Sequence, residues 1–441
     1  MKKTFLITLL IGIVSQIAIA QDFDKTKLDN YFDALDTNNK FMGSVAVSQN
    51  GEIIYKKSLG FSDFETNTEA DENTKYRIGS ISKTFTAVLV LKAVEADKLD
   101  LNQTLNEYYP NIENSDKITI KYLLNHQSGI HNFTADQNYL SWHTQPKTEE
   151  ELLSLIADGG SVFEPGSQSQ YSNSNYILLS FILEKANKSS YAELLKNQIA
   201  KPIGLDNTYL GGKINTADNE SKSYSYMNTW TIENETDMSI PLGAGGIVST
   251  PIDLVKFSDA LFTGKLLNEE SLNTMKTLER QYGLGLVQIP FYDKTGYGHT
   301  GGIDGFSSVF SYFSDGNLSY ALISNGTNYN NNDISIAVLS AVFDKPYNIP
   351  EFSDYEVNLE DLERYLGVYS SSQFPMKITI TKKKGTLLAQ ATGQSAFPLE
   401  AVEEHKFEFK QADVVLEFNP KKQSMLLKQG GGEFKFTKDQ N

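Results

Sequence analysis

The spacing of hydrophobic positions along the chain predicts two hairpins with a helical region between them. Residues 41–60 alternate between apolar and polar side chains around Asn50-Gly51, a pair typical of a type I′ turn. Residues 305–324 repeat this pattern around Asp315-Gly316. From Ser80 to Ala96 the apolar positions recur every three or four residues, as they do on a helix with one broad apolar face. Strands at both ends and helices between them predict an α+β domain with an antiparallel sheet flanked by helices.

Three further helices are predicted within this domain. One begins after Thr148, because Thr148 and Glu151 have the spacing of a capping box ahead of an apolar run. Another covers about 175–186, and a third covers about 251–262 with Pro251 in its first turn. The helices therefore lie in the middle of the domain and the strands at its ends.

The pattern changes near residue 344. Pro346, Pro350 and mixed polar residues indicate a linker over 344–355. Short alternating segments follow it, separated by glycines and charged turns, at Leu366–Tyr369, Lys377–Thr381, Leu387–Ala391, Phe407–Lys410, Val414–Phe418, Ser424–Leu427 and Phe434–Thr437. They predict a small all-β domain over 356–441, either an up-and-down barrel or a sandwich.

The first twenty residues have the pattern of a signal peptide. Lys2 and Lys3 precede a nearly continuous apolar run, and Ala18-Ile19-Ala20 resembles a cleavage site. The alternative is an uncleaved membrane anchor, but the run is shorter than the ~20 residues that a span needs. We therefore expect a signal peptide over 1–20, a large domain over 21–343, and an exported protein that is periplasmic or extracellular.

Composition narrows the classes of function. The net charge of −16 leaves no basic face for nucleic acid, so we expect no nucleic-acid partner. The chain has no cysteine, which excludes disulfides, thiol catalysis and thiolate metal sites. Its five histidines show no H-E-x-x-H motif, and we expect neither a metal nor another cofactor. The sequence predicts no stable membrane span after signal cleavage and leaves the oligomeric state open.

Ser80-Ile81-Ser82-Lys83 is the first of three chemistry-bearing elements. A serine hydroxyl is a poor nucleophile until a neighbouring base accepts its proton, and a lysine one helical turn away can be that base. Ser80 also precedes a helix, whose first backbone N–H groups suit a developing oxyanion. Alone, the element is weak, because a capping serine followed by a surface lysine occurs often by chance.

The second and third elements lie farther along the chain. Tyr171-Ser172-Asn173 follows a Pro-Gly turn and precedes a helix, so that the tyrosine hydroxyl and the amide can point into one cleft. His299-Thr300-Gly301-Gly302 precedes a predicted strand, and its glycines allow a backbone to approach a ligand closely. Each is weak evidence when taken alone.

Together the three elements resemble the serine β-lactamase and penicillin-binding-protein superfamily, whose motifs are S-x-x-K, Y-x-N or S-x-N, and K-T-G or H-x-G in that order. Similar flanking segments extend the resemblance over roughly residues 25–340. They are Gly79–Thr86, Leu123–Ile130, Phe163–Asn173, Gly243–Gly246 and Ser249–Leu254. The resemblance implies a β-lactamase/transpeptidase-like fold, and the C-terminal segment resembles the small lipocalin-like barrels of several relatives.

The resemblance also implies roles for particular residues. Ser80 would be the acylated nucleophile, Lys83 and Tyr171 would share the general-base work, and Asn173 would orient Lys83 and the substrate. His299 and Gly301 would bind substrate, and the backbone N–H groups of Ser80 and Gly302 would form the oxyanion hole. His299 stands where many relatives carry lysine, so a permanent positive charge is missing there.

Three functions are compatible with these motifs. The first is hydrolysis of D-amino-acid peptides, as by a DD-carboxypeptidase or a D-aminopeptidase. The second is a carboxylesterase or β-lactamase that uses the same acyl-enzyme chemistry, and the third is a non-catalytic binding protein on the same fold. The motifs are intact, which argues against the third, whereas loops around the cleft decide between the first two.

Overall fold

The computed structural model describes residues 23–227, 229–352, 355, 358, 360–383 and 385–439. The predicted signal peptide lies outside these residues. The predicted linker lies partly outside them, and the limits of the domains stay a prediction. In the described part of the chain, no helix combines the length and the apolar character that crossing a bilayer requires.

The described residues of the large domain form a six-stranded antiparallel sheet from both ends of the domain. Its strands follow the order β3-β4-β5-β6-β1-β2, with bounds β1 Phe41–Gln49, β2 Glu52–Leu59, β3 Val287–Phe291, β4 Lys294–Ile303, β5 Phe306–Phe313 and β6 Leu318–Thr327. Asn50 and Gly51 both have positive φ, as a type I′ turn requires. The two predicted hairpins and the α+β class are therefore confirmed.

Helices cover both faces of this sheet. Alternation along β1 directs Val45 and Val47 toward a core with the first and last helices of the domain, and Ala46 toward the central helices. Both faces are thus buried, which explains why β1 is buried along nearly its whole length. The helices are Lys25–Thr37, Ser82–Glu95, Ile120–Leu124, Glu149–Gly159, Asn173–Asn187, Tyr191–Leu195, Lys201–Ile203, Leu242–Gly245, Pro251–Phe262, Glu269–Lys276 and Asn331–Val342.

Local sequence rules fix several helix ends. Thr148 Oγ1 accepts a hydrogen bond from the Glu151 backbone, and the Glu151 carboxylate accepts one from the Thr148 backbone, so the predicted capping box is present. Pro251 begins its helix as predicted. The helix expected from Ser80 begins instead at Ser82, because residues Gly79–Ile81 form a 3₁₀ turn.

Short strand pairs connect these elements. They are Phe61–Asp63 with Thr68–Glu69, Tyr224–Tyr226 with Trp230–Ile232, and Ile247–Ser249 between Tyr76–Arg77 and Tyr209–Leu210. In the three-stranded set, the strand before Ser80 pairs with Ile247–Ser249, the strand that directly follows the Gly-rich segment 243–246. This pairing brings the Ser80 motif close to the Gly-rich segment.

The C-terminal residues that the structure describes form a closed antiparallel barrel, so the sandwich alternative was wrong. Its strands are Gly367–Ser370, Ile378–Lys383, Thr386–Ala391, Phe397–Glu403, Lys406–Phe409, Val414–Asn419, Ser424–Gln429 and Gly432–Lys438. The strand Phe397–Glu403 was missed, because Pro398 and the glutamates after it obscure its alternation. Inward side chains such as Phe407, Phe418 and Phe436 fill the barrel with an apolar core.

Candidate active site

Ser80 lies in the 3₁₀ turn Gly79–Ile81, which connects the short strand Tyr76–Arg77 to the helix Ser82–Glu95. Gly79 has a φ of +51°, and a Cβ at this position would lie 2.7 Å from the Gly302 backbone nitrogen. Only glycine tolerates both the conformation and this close approach. A Cβ on Gly301 would likewise lie 2.1 Å from the Ile78 carbonyl oxygen. The glycines after His299 therefore let β4 pack directly against the serine turn.

A hydrogen-bond network surrounds the Ser80 hydroxyl. The Tyr171 hydroxyl donates to Ser80 Oγ at 2.6 Å, and Lys83 Nζ lies 3.0 Å from the same oxygen. Lys83 Nζ also donates to Asn173 Oδ1 and to the Ala244 carbonyl oxygen, each at 2.7 Å. The structure thus brings together the serine, lysine, tyrosine and asparagine that the motifs predicted.

Burial determines the charge of Lys83. Its side chain is fully buried, and this desolvation holds the pKa of the Lys83 amine well below its ordinary value. A neutral amine has two N–H donors and one lone pair. The carbonyl oxygens of Asn173 and Ala244 can only accept, so they take both donors and leave the lone pair facing Ser80 Oγ. This geometry suits removal of the serine proton.

Tyr171 has the opposite character. Burial raises the pKa of its phenol above the ordinary value, although the hydrogen bond with Ser80 acts in the other direction. The phenol is therefore neutral near pH 7 and donates its proton to Ser80 Oγ. In this state Tyr171 is a proton donor, and the arrangement places the basic lone pair on Lys83.

Two positioning interactions escaped the sequence reasoning. The His126 ring packs against Tyr171 with centroids 4.5 Å apart, and its Nδ1 accepts a hydrogen bond from the Ser172 backbone at 3.2 Å. Thr134 Oγ1 accepts a hydrogen bond from the Asn173 amide at 2.8 Å, which fixes the amide orientation. The flanking segment Leu123–Ile130 contains His126, but only the folded structure shows which residues His126 contacts.

His299 is buried in β4 and does not line the cavity described below. Its Nδ1–H donates to the Thr300 carbonyl oxygen. Burial, followed by repulsion from the Lys83 amine in its protonated form, lowers the pKa of His299 to about 4. The imidazole is therefore neutral at pH 7. The substrate-binding roles of His299 and Gly301 stay predictions, since neither residue reaches the cavity wall directly.

The depressed pKa of His299 predicts acid destabilisation. Between pH 6.5 and 4 an unfolded histidine binds a proton that the folded one does not, so the free energy of unfolding falls as the pH drops through this window. The shift corresponds to about 3 kcal/mol. Urea denaturation at pH 7 and pH 4.5 should show this loss, and His299→Asn should reduce it. A loss in His299→Asn as large as that in the wild type contradicts this prediction.

A cavity of about 510 Å³ opens in front of Ser80. Asn173 and Gly302 line it beside the serine, so the predicted oxyanion-hole backbone borders the same space. Its other walls are mainly apolar or carry acidic and amide groups, and they comprise Thr134, Tyr139, Leu140, His143, Ile177, Glu233, Asn234, Thr236, Ile240, Pro241, Ala244, Gly245, Ile303 and Asp304. Among the described residues, no three His, Asp or Glu side chains converge as a metal would require.

Several known proteins are similar to this chain in sequence or in fold. A penicillin-binding protein 4* of Bacillus subtilis is 25% identical over 442 residues, which covers 92% of this chain and 97% of that protein. A teichoic acid D-alanine hydrolase of Staphylococcus aureus is 26% identical over 310 residues, with 68% and 74% covered. The crystal structure of a D-stereospecific amidohydrolase from Streptomyces superimposes with a TM-score of 0.60 at 29% identity, over 68% of this chain and 94% of that one.

The family-level match covers most of the large domain. Residues 28–343 match the sequence profile described as Beta-lactamase. This segment contains all three motifs and the cavity that they border. The resemblance predicted from the motifs is therefore confirmed: the chain belongs to the Beta-lactamase family of serine hydrolases, within the β-lactamase and penicillin-binding-protein superfamily.

Proposed function

We propose that this protein is an exported hydrolase that cleaves D-amino-acid peptides or related D-aminoacyl compounds through an acyl-enzyme on Ser80. One observation carries the proposal: Ser80 Oγ receives the Tyr171 hydrogen bond and faces the Lys83 amine at the floor of an open cavity. The names of the relatives support the substrate class, since one hydrolyses D-alanine from teichoic acid and another is a D-stereospecific amidohydrolase.

The geometry supports the following first step. The lone pair of Lys83 accepts the Ser80 proton while Ser80 Oγ attacks the substrate carbonyl carbon. The backbone N–H groups of Ser80 and Gly302 stabilise the oxyanion, as preorganised donors do. Tyr171 then gives its proton to the leaving amine or alkoxide and regains one from Lys83. The leaving group departs protonated, and the acyl group remains on Ser80.

The second step reverses the proton transfers. Water enters the cavity, loses a proton to the neutral Lys83–Tyr171 pair and attacks the acyl carbonyl. The proton returns to Ser80 Oγ as the ester bond breaks, and the D-amino acid leaves as a carboxylic acid that loses its remaining proton to solvent, so the enzyme is restored. Asn173 holds Lys83 in place through both steps, because its carbonyl oxygen accepts one amine N–H.

Three alternative functions receive less support than the hydrolysis of D-aminoacyl compounds. A β-lactamase or a DD-carboxypeptidase acts on substrates with a carboxylate, and His299 is neutral where many relatives carry a charged lysine. A simple carboxylesterase remains the second candidate, because the same acyl-enzyme chemistry accepts neutral esters. A non-catalytic binding role does not explain why Ser80, Lys83 and Tyr171 form a complete hydrogen-bond network.

A substrate panel tests the proposal. The panel compares D-alanine 4-nitroanilide and a D-Ala-D-Ala peptide with L-alanine 4-nitroanilide, 4-nitrophenyl acetate and a chromogenic cephalosporin. The D-aminoacyl compounds together should give the highest kcat/KM and a preference over the L-enantiomer of about tenfold or more, since one misplaced group costs at least ~1.4 kcal/mol. A cephalosporin or a simple acetate hydrolysed faster than every D-compound contradicts the proposal.

A further inference from the structure

Two acidic side chains, Glu233 and Asp304, line the cavity, and Asp304 shares its cationic partner, Arg77, with a third acid, Glu235, which is not part of the lining. The Asp304 carboxylate pairs with the Arg77 guanidinium at 2.7 Å and accepts hydrogen bonds from the Thr236 backbone and hydroxyl. Glu235 pairs with the same guanidinium at 3.1 Å and accepts a hydrogen bond from the Ile214 backbone. The Arg77 side chain is buried, and its positive charge is paired with the Glu235 and Asp304 carboxylates.

Glu233 differs from the other two acids. It lines the cavity together with Ser80 and is half-buried. Within the described residues no lysine, arginine or histidine forms an ion pair with its carboxylate. A carboxylate without an ion-pair partner in a cavity wall can attract a cationic group of a substrate.

The rest of the wall contains no competing positive charge. Among the residues that the structure describes, no lysine or arginine lines the cavity, and the histidine that does, His143, donates from Nδ1 to the Leu140 carbonyl oxygen. Burial lowers the pKa values of Lys83 and His299, which are not part of the lining, and so disfavours their charged forms. The cavity therefore presents a net negative field to any substrate that reaches Ser80.

We propose that Glu233 selects substrates whose acyl part carries a free ammonium group, so that the enzyme acts on D-aminoacyl amides, peptides with a free amino end, or D-aminoacyl esters rather than on carboxyl-terminal D-Ala-D-Ala. This inference rests on the proposed function and narrows it. A D-aminoacyl group held on Ser80 has its ammonium one carbon from the reacting carbonyl, inside the cavity that Glu233 lines. The carboxylate of a DD-carboxypeptidase substrate meets the same acidic wall and is repelled.

The experiment compares three 4-nitroanilides at pH 7, where an α-amino group with a pKa near 7.7–8.0 is mostly protonated. They are the D-alanine, N-acetyl-D-alanine and N-succinyl-D-alanine compounds. The wild type should prefer the free amine over the acetylated compound by about tenfold or more in kcat/KM, as expected for a charged hydrogen bond. The preference should shrink as the salt concentration is raised.

Two variants at Glu233 sharpen the test. Glu233→Gln keeps the shape and removes the charge, so the ratio of kcat/KM for the free amine to that for the acetylated compound should fall by about tenfold. Glu233→Lys should shift the preference toward the succinylated compound. The control Glu52→Gln removes the same charge from an exposed strand position outside the cavity and should keep the wild-type ratio.

The outcomes separate this inference from the proposed function. If the wild type prefers D- over L-compounds but cleaves the acetylated compound as fast as the free amine, the role of Glu233 is wrong and the proposed function stands. An unchanged ratio in Glu233→Gln also overturns it. If no D-compound is cleaved in any form, the proposed function fails and this inference fails with it.

Discussion

Replacing Ser80 by alanine is expected to reduce hydrolysis of every substrate by about 10⁴-fold or more, because the proposed acyl-enzyme forms on the Ser80 hydroxyl oxygen. The fold should persist, since the hydroxyl points to an open cavity and its loss frees only the Tyr171 hydroxyl and one face of Lys83. Steady-state kinetics measures the loss, and thermal unfolding followed by circular dichroism measures the stability.

A covalent probe makes this prediction specific to one residue. A fluorophosphonate should add to the wild type once per chain, and peptide mass spectrometry should place the adduct on Ser80. Ser167→Ala is a suitable control, because Ser167 is an exposed serine that bonds only to the Glu164 carbonyl oxygen. It should retain full labelling and activity. An adduct on another serine, or strong activity in Ser80→Ala, means that the nucleophile lies elsewhere.

Lys83→Met should have the second largest effect, a fall in kcat of about 10³-fold, within the range that general-base catalysis contributes. Methionine fills the space of the lysine stem but has no lone pair to accept the serine proton. The Asn173 and Ala244 carbonyl oxygens lose a donor, so the melting temperature should fall as well. Kinetics at a temperature well below the new midpoint separates the two effects.

Lys92→Met is the matched control for this variant. Lys92 lies on the same helix and donates only to the Leu266 carbonyl oxygen, far from the serine network. Its replacement should change kcat little. Wild-type kcat/KM should also decrease as the pH is lowered through the depressed pKa of Lys83, because the protonated amine cannot accept the serine proton. Substantial turnover by Lys83→Met that keeps the wild-type pH profile would show that another group is the base.

Local rules of backbone conformation made part of the fold predictable from the sequence. Positive φ at Asn50 and Gly51, the capping box of Thr148, and Pro251 in a first helical turn each depend on a few adjacent residues. The barrel strands were visible wherever apolar and polar residues alternate. The strand Phe397–Glu403 was not, because its pairing with both neighbours holds it in place despite a poor pattern.

The sequence by itself also predicted the residues of the candidate site, because Ser80, Lys83, Tyr171 and Asn173 stand in motifs of recognisable order. Only the tertiary structure decided their chemical states. Packing removes water from Lys83 and lowers the pKa of its amine, which favours the neutral form, and burial raises the pKa of the Tyr171 phenol, which favours its role as a proton donor. Burial is a property of the whole packed domain, and no spacing of four residues encodes it.

The tertiary structure alone also placed Glu233 in the wall of the cavity that contains Ser80. In the sequence this glutamate is one of many acidic residues, and nothing next to it distinguishes it from Glu235. The fold gives Arg77 to Glu235 and Asp304 and leaves Glu233 facing the cavity without a cation among the described residues. The sequence determined the reaction class through local motifs, whereas substrate charge selection depends on contacts between distant segments, which exist only after the chain has folded.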